Sequence, residues 1–395
     1  DEYISNTQYG FRKDRSTSDP IHVLRRVQEL FERTNQPLHL LFLDWSMAFD
    51  KLSHSGLHSA LTRFGIPPQY TNLIQDIYTD PTFEVRGNNA TSPAHPQGSG
   101  IRQGCPLSPY LIIIFMSVLM HDVRAELAVR FPELGIQNPY HVFSSNMPLL
   151  ELAYADDLLF FSRSQVVLQE VVTTLQKHAN QYNMQLNMDK TTLLHMNDPN
   201  PKPIYFFTPT APNTVPIKVS TNTKYLGMKI NNKGTLQTHL KPKLAVARKD
   251  FGLLQRLWSH SDIETQFKLK IFNGIYPAIV LYGLHHDWHL DSTLNMIDSW
   301  HCRLLRRVLK VKTTYIDRSK TNEWVYQHAK AEKLSDNIAR NQIKYFAHVA
   351  RHPDNIIHQV CYGPPFIPRS LDALRRKGRP RHPWTENTEA LTCKM

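Results

Sequence analysis

The stretch Leu149-Leu150-Glu151-Leu152-Ala153-Tyr154-Ala155-Asp156-Asp157-Leu158-Leu159-Phe160-Phe161 decides the fold. Two short apolar runs, Leu149 to Tyr154 and Leu158 to Phe161, are separated by Ala155-Asp156-Asp157, which is hairpin spacing. Runs this dense in Leu and Phe read as strands buried within a sheet. A third run, Leu38-His39-Leu40-Leu41-Phe42-Leu43, ends on another acid, Asp44. If these strands are neighbours, three carboxylates meet at one sheet edge. Three like charges in a poorly hydrated place are costly unless cations neutralise them, so the pattern itself points to bound metal.

Helical signals surround these strands. Ser18-Asp19-Pro20 is a helix start, and Ile21, Leu24, Val27 and Phe31 follow at helical spacing. Further helical patterns cover 55–64 and 68–78. A Gly/Pro/Asn/Ser-rich stretch from Gly87 to Gly104 reads as a loop, and Pro106 to about Glu126 as a long buried helix. Val167, Leu168, Val171, Val172, Leu175 and Ala179 form one stripe of an amphipathic helix. Short strands interrupted by Pro199, Pro201, Pro203, Pro209, Pro212 and Pro216 occupy 186–231. Beyond Gly234 the signals are helical and basic, which places a domain boundary near 234. The end of the chain, with Pro364-Pro365, Pro368 and Arg375-Arg-Lys-Gly-Arg-Pro-Arg381, reads as irregular and loosely ordered.

With 395 residues, 41% of them hydrophobic, the chain is globular and long enough for two or three compact units. Cys105, Cys302, Cys361 and Cys393 are scattered without a C-x-x-C pair, which argues against a disulfide framework or zinc module and for a reducing intracellular compartment, nucleus or cytoplasm. The longest apolar run, Leu111 to Met120, is too short to cross a bilayer, so no membrane association is expected. The chain opens on Asp-Glu-Tyr, and a fragment with its start upstream is expected. Its net charge of +12 is unevenly placed: residues 1–200 carry 15 Lys/Arg against 20 Asp/Glu, and residues 201–395 carry 31 against 14. A basic surface of that size attracts phosphate backbones. Of 20 histidines the tightest cluster is His285, His286 and His289, which lacks the neighbours of a structural zinc site and reads as surface or satisfied histidines. No Walker-type loop, nucleophile elbow or dinucleotide fingerprint is present.

Tyr154-Ala155-Asp156-Asp157 matches the YADD block of reverse transcriptases, and other blocks follow in that family's order. Gln8-Tyr-Gly-Phe-Arg12 through Ser16-Thr17 resembles the block before the first catalytic strand. Leu43-Asp44-Trp45-Ser46-Met47-Ala48-Phe49-Asp50 looks like motif A. Gly100-Ile-Arg-Gln103-Gly104-Cys105-Pro-Leu-Ser108-Pro109 is closely similar to motif B of non-LTR retrotransposons. Leu186-Asn187-Met-Asp-Lys190-Thr191 resembles motif D, and Tyr225-Leu226-Gly227 motif E. Two positions depart from the pattern: Met47 stands where the family commonly has lysine, and Trp45 is unusual. Lys344-Tyr-Phe-Ala-His348-Val-Ala-Arg351 and Gly378-Arg-Pro-Arg-His-Pro-Trp384 loosely resemble the tail of LINE-type polymerases.

The resemblance implies an α+β fold: a right-hand polymerase palm, with an antiparallel sheet and helices, followed by an all-helical thumb and an irregular basic tail. It implies a remnant of fingers over 1–37, palm over 38–233, thumb over 234–312 and a helical basic region with a loosely ordered tail over 313–395. The implied activity is RNA-directed DNA polymerisation from an RNA template, a DNA primer and deoxynucleoside triphosphates. Asp44, Asp156 and Asp157 would hold two Mg2+ ions, with Mn2+ as a substitute, about 3.5–4 Å apart. Phe49 would be the steric gate against a ribose 2′-hydroxyl, and Gln103 and Gly104 would line the nucleotide pocket. Lys190 would stabilise or protonate the leaving pyrophosphate. Tyr225, Leu226 and Gly227 would seat the primer end, and Lys241, Lys243, Arg248 and Lys249, then Arg303, Arg306, Arg307, Lys310 and Lys312, would track the duplex. Two alternatives fit the same residues: a related RNA-templated polymerase, RNA-copying or telomerase-like, and a catalytically dead nucleic-acid-binding remnant. Oligomeric state is not legible.

Overall fold

The computed structural model describes residues 4–87, 90–131, 149–207, 215–234, 237–353, 355–363, 367–368 and 383–393. Among these, one compact unit holds 4–23 and 30–223, and another holds 24–29, 383–393 and the described part of 224–368. Tyr225-Leu226-Gly227 therefore count with the second unit.

The first unit is built on five strands: β1 (Leu38–Leu43), β2 (Leu149–Tyr154), β3 (Asp157–Ser162), β4 (Thr192–Met196) and β5 (Lys218–Val219), in the order β5-β4-β1-β3-β2. All pairs are antiparallel except the two-residue β5, which runs parallel to β4. Every residue of β1 is buried, as its unbroken apolar run requires. On one face Leu41, Leu43, Leu158, Phe160 and Leu193 join the core with helices α1 (Ser108–Arg130) and α2 (Gln165–Asn180). On the other face Leu40, Leu159, Phe161 and Leu194 are buried as well. Truncating a side chain such as Phe160 to alanine would cost about 3–5 kcal/mol. Two short stretches depart from the loop reading of 87–104: Ala90–Thr91 pair with Arg86–Gly87, and His95–Pro96 with Thr82–Phe83. These ladders are solvent-exposed, so no apolar alternation announces them.

The sheet also encloses a histidine pair. His39 and His195 face each other in register, Nδ1 to Nδ1 at 2.8 Å, with Asp198 3.7 Å from His39 Nε2. Burial, then His195, pushes His39 down to about 4, with Asp198 opposing. Burial likewise holds His239, His285 and His301 at about 4. An unfolded histidine titrates near 6.5 and so takes up its proton first as pH falls. The stability these histidines contribute is therefore complete above about pH 6.5 and is lost between there and about 4, with a slope of up to about 1.4 kcal/mol per pH unit for each such histidine. Urea midpoints at pH 7.5 and 5.0 should show a clear fall at the lower pH; an unchanged or higher midpoint at pH 5.0 would contradict this.

The second unit is mainly helical. After Tyr225-Leu226-Gly227 and the strand Met228–Asn231 come helices α3 (Gln237–Leu253), α4 (Thr265–Leu281), α5 (Asp291–Val308), α6 (Asn322–Ala329), α7 (Leu334–Ala350) and α8 (Trp384–Cys393). Phe251, Trp258, Phe272 and Tyr276 form its aromatic centre, Phe251 stacking on Trp258 at 4.9 Å. His286 and His289 are interior rather than surface residues, and His289 Nε2 lies 2.6 Å from Leu284 O. The irregular tail expected from composition is, in its last described part, the helix α8, anchored by a Trp384 that is 1% exposed. Composition cannot register such tertiary contacts. Arg375 to Arg381 lie outside the described residues. No helix among the described residues is long and apolar enough to cross a membrane.

Candidate active site

The register of the sheet gathers the acids. Leu43 lies opposite Leu158, and Tyr154 opposite Asp157, so the chain leaving β1 at Asp44 emerges beside the β2–β3 turn. That turn is Ala155-Asp156, with Ala155 at φ 55°. The segment resembling motif D comes to the same place: Asn187 N donates to Asp44 O at 2.8 Å, Asp44 N to Thr191 Oγ1 at 3.4 Å, and Lys190 Nζ stands 3.5 Å from Asp44 Oδ2. Trp45, 4% exposed, bridges to Leu186, while Met47 is 60% exposed. The unusual tryptophan is thus a packing residue beside the acid.

Electrostatics mark the acids as a coupled group. Burial, then Asp156 and Asp44, pushes Asp157 up to about 6, with Lys190 opposing. Burial also raises Asp156, with its own backbone hydrogen bond opposing and Asp44 adding. Asp44 Oδ2 is enclosed and accepts no hydrogen bond, with the Lys190 ammonium 3.5 Å away as its ion-pair partner. Among the described residues no three His, Cys, Asp or Glu side chains are closed into a ligand cluster. The aspartates are near enough to disfavour one another's charge without forming a finished shell. An enclosed acceptor with no hydrogen bond and two carboxylates raised by burial and by neighbouring negative charge suit a hard divalent cation, which takes oxygen ligands and retains water or substrate oxygens. The residues fit Mg2+ on those grounds.

The stretch resembling motif B is held against the stretch resembling motif A. Ile101 N donates to Phe49 O at 2.6 Å, Gly100 N to Leu52 O at 2.8 Å, and Ser99 Oγ to Asp50 O at 2.8 Å. Gly100 sits at φ 89°, and a β-carbon there would fall 2.7 Å from Asp50 O, so only glycine fits. Phe49 is half-buried against the core. Gln103 is exposed and donates from Nε2 to Asp50 Oδ1 at 3.2 Å; Gly104 is exposed at φ 87°. Asp50 carried no assigned role in the sequence. Its signal was its place directly after Phe49, but only the folded loop shows that it orients Gln103.

In the second unit Leu226 and Gly227 turn with φ 43° and 80°, and Tyr225 is buried. Tyr282 Oη donates to Leu226 O at 2.6 Å. Lys243 lies 4.8 Å over the Tyr282 ring and donates to Tyr282 O at 2.5 Å, and burial holds its ammonium down at about 8. Lys241, Arg248, Lys249, Arg303 and Lys312 are exposed. Other cations are engaged within the unit: Arg306 donates to Lys312 O and Lys320 O, Arg307 lies 4.7 Å over Phe251, and Lys310 donates to Ser259 O.

The chain is 25% identical over 395 residues to a probable RNA-directed DNA polymerase from transposon BS of Drosophila melanogaster, covering 95% of this chain and 39% of that protein. It is 24% identical over 375 residues to the RNA-directed DNA polymerase from mobile element jockey of the same organism, covering 90% of this chain and 37% of that one. It thus spans about two fifths of these relatives' length. Among solved structures, apo telomerase from Candida tropicalis aligns over 90% of this chain and 57% of its own, with 13% identity and a TM-score of 0.39. The family model described as reverse transcriptase (RNA-dependent DNA polymerase) matches residues 2–230, more than half of the chain, and the chain belongs to that family.

Proposed function

We propose that this chain is the catalytic core of an RNA-directed DNA polymerase of a non-LTR retrotransposon, acting in the nucleus or cytoplasm on an RNA template, a DNA primer and deoxynucleoside triphosphates. The observation that carries the proposal is the convergence of Asp44 with the Asp156-Asp157 turn, where burial first and neighbouring negative charge second raise Asp156 and Asp157. Asp44, Asp156 and Asp157 would hold two Mg2+ ions, or Mn2+ in their place. Bound there, the ions would neutralise charge on the attacking and leaving oxygens.

The remaining steps belong to the protein's own side chains. Phe49 excludes a ribose 2′-hydroxyl from the sugar site, and Gln103, oriented by Asp50, lines the nucleotide pocket with Gly104. Lys190, exposed apart from its approach to Asp44, is free to swing toward the departing pyrophosphate. The Tyr225-Leu226-Gly227 turn, braced by Tyr282, seats the primer end. Exposed Lys241, Arg248 and Lys249 neutralise duplex phosphates, whereas Lys243 braces Tyr282.

The test is primer extension by the full chain with whatever flanking segments its gene encodes. Extension of a DNA primer on RNA with Mg2+ and deoxynucleotides is expected, with at least about a hundredfold loss in Asp44→Ala. Retained extension in Asp44→Ala would sink the site assignment. Equal use of ribonucleotides would favour an RNA-copying polymerase, and template–primer binding without extension a non-catalytic remnant.

A further inference from the structure

We propose that Gln8 is a positioning residue for the carboxylate turn: its side-chain amide fixes the backbone at Ala155 and thereby the placement of Asp156 and Asp157. The inference rests on the metal-site reading above. Gln8 is 4% exposed and lies beside the edge strand β2, in an isolated parallel bridge with Ala153. Tyr9 N donates to Ala153 O at 2.8 Å and Ala153 N to Thr7 O at 2.9 Å, so the segment is laced to the strand on either side of Gln8. Arg12 Nη1 donates to Gln8 O at 3.1 Å and to Ser5 O at 2.9 Å, which stiffens the segment from behind.

Held this way, the side chain reaches past the end of the strand into the turn. Gln8 Nε2 donates to Ala155 O at 3.1 Å, and Gln8 Oε1 accepts from Ala155 N at 2.9 Å. The amide thus takes up both backbone groups of one residue, as a neighbouring strand would. Oε1 also accepts from Gly10 N at 2.8 Å. Two N–H groups facing the same atom require an oxygen there, which fixes which way the amide points. Gly10 supplies the clearance, because a β-carbon on it would fall 2.3 Å from Ala155 N.

The residue held is one that needs holding. Ala155 is buried and adopts φ 55°, a left-handed conformation that a β-carbon disfavours, and it precedes Asp156 directly. Both its polar backbone groups would be buried without partners if Gln8 lost its amide. The turn would then relax toward an ordinary conformation and rotate the two carboxylates that follow. A neutral amide satisfies donor and acceptor together without adding a fourth negative charge beside three aspartates. Groups that orient metal ligands without touching the metal commonly change affinity by 10- to 100-fold when removed.

The test is Mn2+ binding to the full chain, followed by the electron paramagnetic resonance of free Mn2+ at pH 7.5, in wild type, Gln8→Met, Gln8→Asn and Asp157→Asn. Gln8→Met keeps the volume and loses both hydrogen bonds; Gln8→Asn keeps the amide but is one methylene short of Ala155. Either variant is expected to bind Mn2+ about tenfold more weakly while still unfolding cooperatively above the assay temperature. A role confined to stability would lower the melting temperature and leave the Mn2+ affinity of the folded protein alone. Affinity within twofold of wild type in either folded variant overturns the proposal, as does failure of both to unfold cooperatively. If Asp157→Asn weakens binding and the Gln8 variants do not, only the role of Gln8 falls; if Asp157→Asn binds as wild type does, the metal site falls with it.

Discussion

Asp157→Asn is expected to cut Mg2+-dependent primer extension by about a thousandfold and, in chelator, to make the folded protein more stable. The loss follows from the proposed role of Asp157 as a metal ligand, whose removal would forfeit several kcal/mol of transition-state stabilisation. The gain follows from the carboxyl's environment: it titrates at about 6, above its ordinary value of 3.8, because burial and the neighbouring Asp156 and Asp44 disfavour its charge. Between these values the folded state binds more protons than the unfolded one, so this group's contribution to stability falls as pH rises from about 4 to 6. Above pH 6 the ionised carboxylate is a standing cost. Partial exposure reduces the full shift to about 1–2 kcal/mol of destabilisation, which asparagine removes. Urea unfolding in chelator should place the Asp157→Asn midpoint above wild type at pH 7.5 and close to it at pH 4. Added Mg2+ should stabilise wild type far more than the variant. A midpoint below wild type in chelator at pH 7.5 would mean that the carboxylate is a structural partner rather than an unneutralised ligand.

Trp384→Ala is expected to destabilise the second unit by about 3–5 kcal/mol, the usual cost of emptying a large buried aromatic site. Trp384 is 1% exposed, and it joins three separate pieces of that unit. Its backbone N donates to Glu29 Oε1 at 3.0 Å, its indole Nε1 donates to His285 O at 2.8 Å, and the Arg26 guanidinium lies 5.2 Å over its ring. Tyr345 and Phe346 from α7 lie against it at 6.4 and 6.3 Å. Removing the ring leaves a cavity, a carbonyl without its donor and a guanidinium without its aromatic face. Trp384→Phe keeps most of the packing and should recover more than half of the loss. Thermal unfolding of both variants by circular dichroism at 222 nm measures this, and a Trp384→Ala midpoint within two degrees of wild type would show that α8 does not hold the unit together.

The strands of the first unit and most helices were legible because the apolar runs are uninterrupted where both faces are buried and striped where one is. The helix over Ser108–Arg130 and the Leu149–Ser162 hairpin follow from such runs. The exposed ladders of 82–96 were not legible, since nothing in their side chains separates a paired backbone from an unpaired one. Neither was α8, whose Trp384 docks among residues from distant parts of the chain, Glu29 and Arg26 more than three hundred residues earlier and His285 and Tyr345 nearer. The basic residues of the second unit show the same limit: their sum was readable, but whether a given one faces solvent, as Lys249 does, or braces an aromatic ring, as Lys243 does, was not.

By itself the sequence determined the family, which depends on residue types in fixed local order, and it singled out the three acids as candidates. The tertiary structure alone decided which distant residues stand beside the candidate site. Lys190 beside Asp44, Asp50 holding Gln103, and Gln8 holding Ala155 join residues 146, 53 and 147 positions apart. Strand order and register bring such distant segments within hydrogen-bonding reach, and no local pattern in the chain records which segments will meet.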